Sequence, residues 1–251
     1  MNDDTAFDVV IIGAGVNGAG LFRDLSLQGV NCLITEKADF GAGTSAAPSR
    51  LIHGGLKYLE TGEFGLVAQS TLERNLLLRN APHCVEPLPT MIPIFSWTKG
   101  IWAALRTLLG STSAPRSRGA ILVKIGLWLY DFYGARHRVM PRHKLVGRRR
   151  ALSDMPGLTD TIVAAGTYYD ARITQPERLV MEMIRDGLAA NPGSAALNAT
   201  IIRAANADRI VFETEAGETL AVKPGLVVNA AGPWIDHVNA MLGLQTKLIG
   251  G

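Results

Sequence analysis

Apolar positions in this chain recur in two rhythms, and the rhythms alternate. Phe7-Asp8-Val9-Val10-Ile11-Ile12 is a short apolar run rich in β-branched residues, as a buried strand requires. Ala19, Leu21, Leu25 and Leu27 then recur at roughly helical spacing, and Asn31 to Glu36 reads as a second strand ending in an acid. Residues 64–80 carry a helical stripe of Leu66, Val67, Leu72, Leu76 and Leu77. Pro82, Pro87, Pro89 and Pro93 break the pattern, leaving Met91 to Ser96 as a strand candidate. Helices are expected over Ile101–Leu109 and Ile121–Tyr133, joined by a Ser/Pro/Arg-rich linker from Gly110 to Gly119. Thr174-Gln175-Pro176-Glu177 has the form of a capping box opening an amphipathic helix with Leu179, Met183, Ile184 and Leu188. A β-meander is expected over Thr200–Ala204, Arg209–Thr214 and Glu218–Val222. Gly225 to Asn229 then forms a buried strand that runs into Ala230-Ala231-Gly232-Pro233-Trp234, a small-residue turn with a helix starting at Pro233.

The first strand flows directly into Gly13-Ala14-Gly15-Val16-Asn17-Gly18, a G-x-G-x-x-G motif. Strand, glycine turn, helix, strand and acid together make a dinucleotide-binding βαβ unit. Gly13 permits the tight turn, Gly15 lets backbone approach a pyrophosphate, and Gly18 lets the helix pack close to the sheet. The helix N-terminus offers amide hydrogens and a positive dipole end to phosphate. Glu36 lies 18 residues beyond Gly18, near the spacing of about 20 for an acid that holds a ribose 2′-hydroxyl. An acid there repels a 2′-phosphate, which disfavours NADP. The motif does not separate FAD from NAD.

Bulk properties narrow the class. The 251 residues are 47% hydrophobic and 19% charged, suited to a folded core of one large domain or two small ones. A net charge of +3 is too small to argue for nucleic acid. Cys32 and Cys84 are far apart and read as reduced thiols, with no disulfide framework and no metal site. The Met-Asn-Asp-Asp start does not read as a signal peptide, and no membrane-crossing helix is expected, since no run is long and apolar enough. A cytoplasmic location is expected, with a membrane surface left open.

Several polar groups sit where chemistry is plausible. Thr44 and Ser45, in the small-residue loop 37–50, can donate hydroxyls to phosphate, or simply cap the next helix. In Leu51-Ile52-His53-Gly54-Gly55-Leu56-Lys57-Tyr58-Leu59-Glu60, two glycines let backbone approach a ligand beside His, Lys and Tyr. Equally, His53 could be structural and Lys57 a solvated charge. Ile125 to Phe132 reads first as core or interface packing and second as a membrane-facing surface. Residues 136–150 carry seven Lys/Arg, the mark of a solvated basic face that could also hold anionic head groups or draw in an anionic substrate. Without aromatic interleaving or a nucleic-acid module, DNA and RNA are rejected as partners.

Taken together, Gly13-x-Gly15-x-x-Gly18 with Glu36, Thr44-Ser45, the Leu51–Glu60 block, Ile125-Gly126-Leu127-Trp128-Leu129-Tyr130-Asp131 and Asn229-Ala230-Ala231-Gly232-Pro233-Trp234 resemble the FAD-dependent glycerol-3-phosphate dehydrogenases. The Leu51–Glu60 block is the specific part; the glycine motif and the Asn-Ala-x-Gly-Pro-Trp turn are shared with D-amino-acid-oxidase-like flavoproteins more widely. The resemblance implies an α/β fold, a Rossmann-like FAD-binding domain with a partial β-rich substrate domain. It implies oxidation of sn-glycerol 3-phosphate to dihydroxyacetone phosphate, with quinone as acceptor, on the cytoplasmic face of the inner membrane, with a homodimer as one open assembly. Alternatives are an oxidase using O₂, or a related flavoprotein acting on an amine or 2-hydroxy acid.

By position, the resemblance assigns the cofactor to Gly13, Ala14, Gly15, Asn17, Gly18, Glu36, Thr44, Ser45, His53, Gly54, Gly55, Ala231 and Gly232. It makes His53 the catalytic candidate and places Lys57, Tyr58 and Arg178 toward the substrate. Many relatives carry Arg where this chain has Lys57, and Gln175-Pro176-Glu177 before Arg178 departs from the common acidic pair. The implied organisation is 1–80 for the FAD unit and flavin side, 81–198 for interleaved substrate-domain segments, 199–240 for the meander and return strand, and 241–251 for the start of a second half. The resemblance implies that the family continues past this point with further substrate and flavin contacts. The 251-residue chain alone is therefore expected to be marginal in stability and weak or inactive in catalysis.

Overall fold

The computed structural model describes residues 5–59, 61–99, 119–206 and 208–248. The expected helix Ile101–Leu109, most of the 110–119 linker and Glu60 lie outside these residues. The chain divides into two compact units, one of 1–49 with 175–251 and the other of 50–174.

In the first unit, β1 (Thr5–Ile12) pairs in parallel with β2 (Cys32–Thr35) on one side and β10 (Thr219–Asn229) on the other. Strand β7 (Ala195–Leu197) extends the sheet in parallel beyond β2, while β9 (Ile210–Thr214) and β8 (Thr200–Ala205) extend it antiparallel beyond β10. The six-stranded order is β7-β2-β1-β10-β9-β8. Side chains of β1 alternate between two cores, as the pleat demands. Val10 and Ile12 join Leu33, Phe212 and Val222 on one face. Val9 and Ile11 join Ile34 on the other, where α1 (Val16–Leu27) and α5 (Pro176–Ala190) supply Ala19, Phe22, Val180 and Ile184. Burial on both faces is why β1 reads as a continuous apolar run.

Strand β10 absorbs both the last meander strand and the Gly225–Asn229 strand expected separately. Its N-terminal part pairs with β9 and its C-terminal part with β1. Helix α6 (Ile235–Met241) follows a 3₁₀ turn at Gly232–Trp234 containing Pro233. The expected capping box is absent: Gln175 is the N-cap of α5, no side chain caps it, and the Thr174 hydroxyl donates instead to the Cys84 carbonyl at 3.0 Å.

In the second unit, β6 (Ala164–Ile173) pairs antiparallel with β3 (Leu51–Ile52), β4 (Val85–Ile94) and β5 (Lys144–Gly147). Strand β4 tolerates Pro87, Pro89 and Pro93 because it lies at the edge of the β3-β6-β4 order and they share one parity, leaving the missing amides on the unpaired side. This is why the strand begins six residues earlier than its prolines suggested. Helices α2 (Phe64–Asn80) and α3 (Ala120–Tyr133) pack on this sheet, and α4 (Arg148–Asp154) follows β5.

The division at residues 49/50 and 174/175 differs from the boundaries at 80 and 198 taken from the sequence. Pairing of Leu51-Ile52 with β6 draws residues from 50 onward into the second unit, and packing of α5 on α1 returns residues from 175 to the first. Phe22 is fully buried, and a Cβ on Gly187 of α5 would lie 2.7 Å from its ring. Phe22→Ala is expected to cost about 3–5 kcal/mol, read as a lower denaturation midpoint; an unchanged midpoint contradicts this packing.

Candidate functional site

Three strands of the first unit end in register. Ile12 of β1 lies opposite Thr35 of β2 and Asn229 of β10. The turns that follow are stitched together: Gly13 N donates to Thr35 O and Ala230 N to Ile12 O, both at 2.8 Å. A ligand cleft is expected at the carboxyl ends of parallel strands, and a cavity of about 390 Å³ opens there. Gly13, Gly15, Glu36, Thr44, Ser45, Ala231 and Gly232 all line it.

The glycines are required by contact. Gly13 has φ +105°, and a Cβ on it would lie 2.7 Å from the Ala230 carbonyl oxygen. A Cβ on Gly18 would collide with the Gly13 carbonyl. Gly15 is the N-cap of α1 and supplies no side-chain cap; Val16 N donates to Ser45 Oγ at 3.0 Å. Buried Ala14 gives its amide to Glu36 Oε2 at 2.9 Å, and Ala38 N donates to Glu36 Oε1 at 3.2 Å. The acid therefore braces the glycine turn from across the cleft. Asn17 is exposed on the first turn of α1 and does not line the cavity.

The sequence reading missed several lining residues. Lys37 Nζ sits 4.1 Å from the centroid of the Trp234 ring, a cation–π contact on the cavity wall. His237 and Met241 come from α6, and Ile201 and Ile202 from β8. Asn229 shapes the turn below them: its Nδ2 donates to Ile235 O at 2.8 Å and Asn239 Oδ1 at 2.7 Å, and its Oδ1 accepts from Ala231 N at 3.1 Å. Only the Asn-Ala-Ala-Gly-Pro-Trp string hinted at this. Arg178 lines a separate cavity with Asp39, Phe40 and Arg185, where it pairs with Glu182 at 2.8 Å.

His53, Gly54, Gly55, Lys57 and Tyr58 belong to the second unit. Gly55 has φ +73° and lies under the Tyr58 ring; His53, Lys57 and Tyr58 are exposed around the buried glycines. Gly54 N donates to Tyr130 Oη at 2.9 Å and to Asp170 Oδ1 at 3.1 Å. Tyr130 Oη donates to the same carboxylate at 2.5 Å, and Arg74 Nη1 donates to Tyr130 Oη at 2.7 Å and Asp170 Oδ1 at 3.0 Å. Burial pushes the Tyr130 phenol well above its ordinary range; the Arg74 guanidinium opposes this and the Asp170 carboxylate adds to it.

A glycine turn at a strand's carboxyl end, a helix N-terminus behind it and an acid opposite define a dinucleotide-binding module. A family profile described as FAD dependent oxidoreductase matches residues 8–250. The chain belongs to this family, whose cofactor is FAD. It is 33% identical over 245 residues to a glycerol-3-phosphate dehydrogenase of Synechocystis, covering 94% of this chain and 40% of that protein. It is 31% identical over 243 residues to a D-erythritol 1-phosphate dehydrogenase of Brucella abortus, covering 95% of this chain and 44% of that protein. The fold resembles that of a glycerol-3-phosphate dehydrogenase from Bacillus halodurans solved with FAD, at TM-score 0.63 and 22% identity, over 96% of this chain and 36% of that one. The chain thus spans about two fifths of the length of the curated relatives it matches. The cradle at Gly13, which a single Cβ would fill, fits a pyrophosphate-bearing cofactor.

Gly13→Ala is expected to strain the turn by about 1–3 kcal/mol and to lower FAD affinity at least tenfold in a fluorescence titration; retained affinity places the cofactor elsewhere. A second expectation concerns pH. The Tyr130 proton is held more tightly in the folded than in the unfolded chain, so its contribution is complete below the ordinary value of 10.0 and falls away as pH rises above it. Stability is expected to decline above that pH by up to about 1.4 kcal/mol per unit from this group, and Tyr130→Phe to flatten the decline. An unflattened slope in Tyr130→Phe contradicts this.

Proposed function

We propose that the chain forms the FAD-binding part of an oxidoreductase acting on a polyol phosphate, with sn-glycerol 3-phosphate oxidised to dihydroxyacetone phosphate. The observation that carries this reading is the convergence of Gly13, Gly15, Glu36 and Ser45 on one cleft in a chain of the FAD-dependent family. The Gly13–Gly18 turn and the N-terminus of α1 hold the pyrophosphate, and Glu36 exchanges its turn amides for the adenosine ribose. Bound FAD supplies the two-electron acceptor for the carbinol C–H bond. His53 takes the substrate hydroxyl proton, and Lys57 and Tyr58 hold the phosphate. Support for a phosphorylated substrate comes from Lys57 and from relatives named for glycerol 3-phosphate and erythritol 1-phosphate. Arg178 is assigned a secondary part in substrate binding.

Quinone is the assigned final acceptor, with an O₂-using oxidase as the alternative; peroxide yield during turnover separates them. The assigned seat is a peripheral one on the inner membrane. Among the described residues no helix is long and apolar enough to cross a membrane. Helix α3 does carry an outward stripe at Ile121, Ile125, Trp128 and Phe132, the last two 59% and 62% exposed, while Val123, Leu127 and Tyr130 face inward. The basic segment after it is tied to its end, where His143 Nδ1 pairs with Asp131 Oδ2 at 2.8 Å. Apolar stripe and adjoining cations fit an anionic lipid surface.

Any anaerobic bleaching of the FAD-loaded protein is expected to be slow and to be brought on by sn-glycerol 3-phosphate or D-erythritol 1-phosphate. Bleaching by an amino acid and by neither phosphate contradicts the substrate class. Lys57→Ala is expected to raise KM roughly ten- to a hundredfold, the worth of a hydrogen bond to a charged group. Trp128→Ser with Phe132→Ser is expected to abolish sedimentation with anionic liposomes; unchanged sedimentation removes α3 from the membrane.

A further inference from the structure

We propose that Arg74, Tyr130 and Asp170 are positioning residues, a buried clamp that holds the Gly54 amide and so presets the turn that carries His53 and Lys57 for the phosphorylated substrate. This rests on the reading above that His53 and Lys57 act on that substrate.

The clamp draws one residue from each of three elements onto a single backbone amide. Arg74 comes from α2, Tyr130 from α3 and Asp170 from β6, and Gly54 N lies within hydrogen-bonding distance of both Tyr130 Oη and Asp170 Oδ1. Asp170 Oδ1 accepts from the amide, the phenol and the guanidinium together. Neighbouring atoms extend the hold. Arg74 Nη1 also donates to Tyr169 O at 3.1 Å, and Asn75 Nδ2 donates to Gly134 O at 3.0 Å and Arg136 O at 2.9 Å, fixing the end of α3.

Such a clamp is a poor choice for stability alone. Arg74 and Asp170 are 3% and 2% exposed, and an apolar set of similar volume often does as well or better than a buried ion pair. Arg74 Nε is buried with no partner, a further cost. What the polar set supplies is direction, because hydrogen bonds fix an amide where apolar contacts would let it rotate. The turn is built to be so held: a Cβ on Gly54 would collide with Tyr130 Oη and Thr71 Cγ2, and Gly55 needs its left-handed φ of +73°. The residues flanking this anchored amide, His53 and Lys57, are exposed. A buried charged anchor beneath an exposed polar turn is the arrangement of a preorganised site.

The test uses Tyr130→Phe, which loses one oxygen, and Asp170→Asn, each in the FAD-loaded protein. Amide exchange of Gly54 and Gly55 is measured beside that of Val10 and Ile11, together with the affinity for sn-glycerol 3-phosphate by calorimetry. We expect exchange at the two glycines to quicken at least tenfold in both variants, with β1 unchanged, and the affinity to fall at least fivefold. Unchanged exchange at Gly54 means the clamp does not hold the turn, and overturns the proposal. Quickened exchange with an unchanged affinity means the turn is held but does not serve the substrate, and overturns the positioning role. If Asp170→Asn fails to fold, Tyr130→Phe decides by the same two readouts. A wild-type protein that binds no sn-glycerol 3-phosphate fails the substrate reading separately, and the exchange arm still decides whether the clamp holds the turn.

Discussion

Backbone meeting backbone at Gly13 is the constraint on which the first unit depends. The Gly13 carbonyl lies where a Gly18 Cβ would be, and the Ala230 carbonyl where a Gly13 Cβ would be. Helix α1 can therefore approach the sheet only if both positions lack side chains, and β10 can lie beside β1 only if the turn after β1 is made in a conformation that favours glycine. The in-register ends of β1, β2 and β10 then bring three turns to one place. Because α1 starts within that contact, its amide-bearing end is aimed into the cleft. The end of the helix proposed to hold phosphate is thus placed by the same packing that closes the fold.

The second unit depends on a different kind of contact. Its turn at Gly54 is held by a buried charge pair and a phenol. In the first unit sterics select glycine and the geometry follows; in the second, electrostatics hold a glycine that sterics have left bare. The two devices suit different tasks. Tight backbone packing makes a rigid cradle, whereas directed hydrogen bonds set the orientation of an exposed turn.

Much of the first unit was legible in the sequence because local signals agreed with the tertiary outcome: the apolar run of β1, the glycine spacing and the acid at Glu36 are all short-range patterns. Strand β6 was not, since Ala164–Ile173 includes Ala, Gly, Tyr, Asp and Arg, and its strand character comes from three partners distant in sequence. Strand β4 was cut short because its prolines read as breaks, and only its place at the sheet edge makes them harmless. The Thr174-x-x-Glu177 string had the right spacing for a cap, yet the Thr174 hydroxyl found a carbonyl at Cys84. Lys37 reaches the cleft from the segment after β2, Trp234 from the 3₁₀ turn and His237 from α6, and no periodicity brings them together. The Arg74–Tyr130–Asp170 clamp was invisible for the same reason: its members are 40 and 56 residues apart.

The central claim is that the glycine cradle reads the pyrophosphate and adenosine end of FAD. Equilibrium titration of the flavin-free protein with FAD, FMN and NAD, with ADP as competitor, addresses it most directly. The account predicts saturable FAD binding that ADP displaces and FMN does not. Equal binding of FMN, or FAD binding indifferent to ADP, would contradict it.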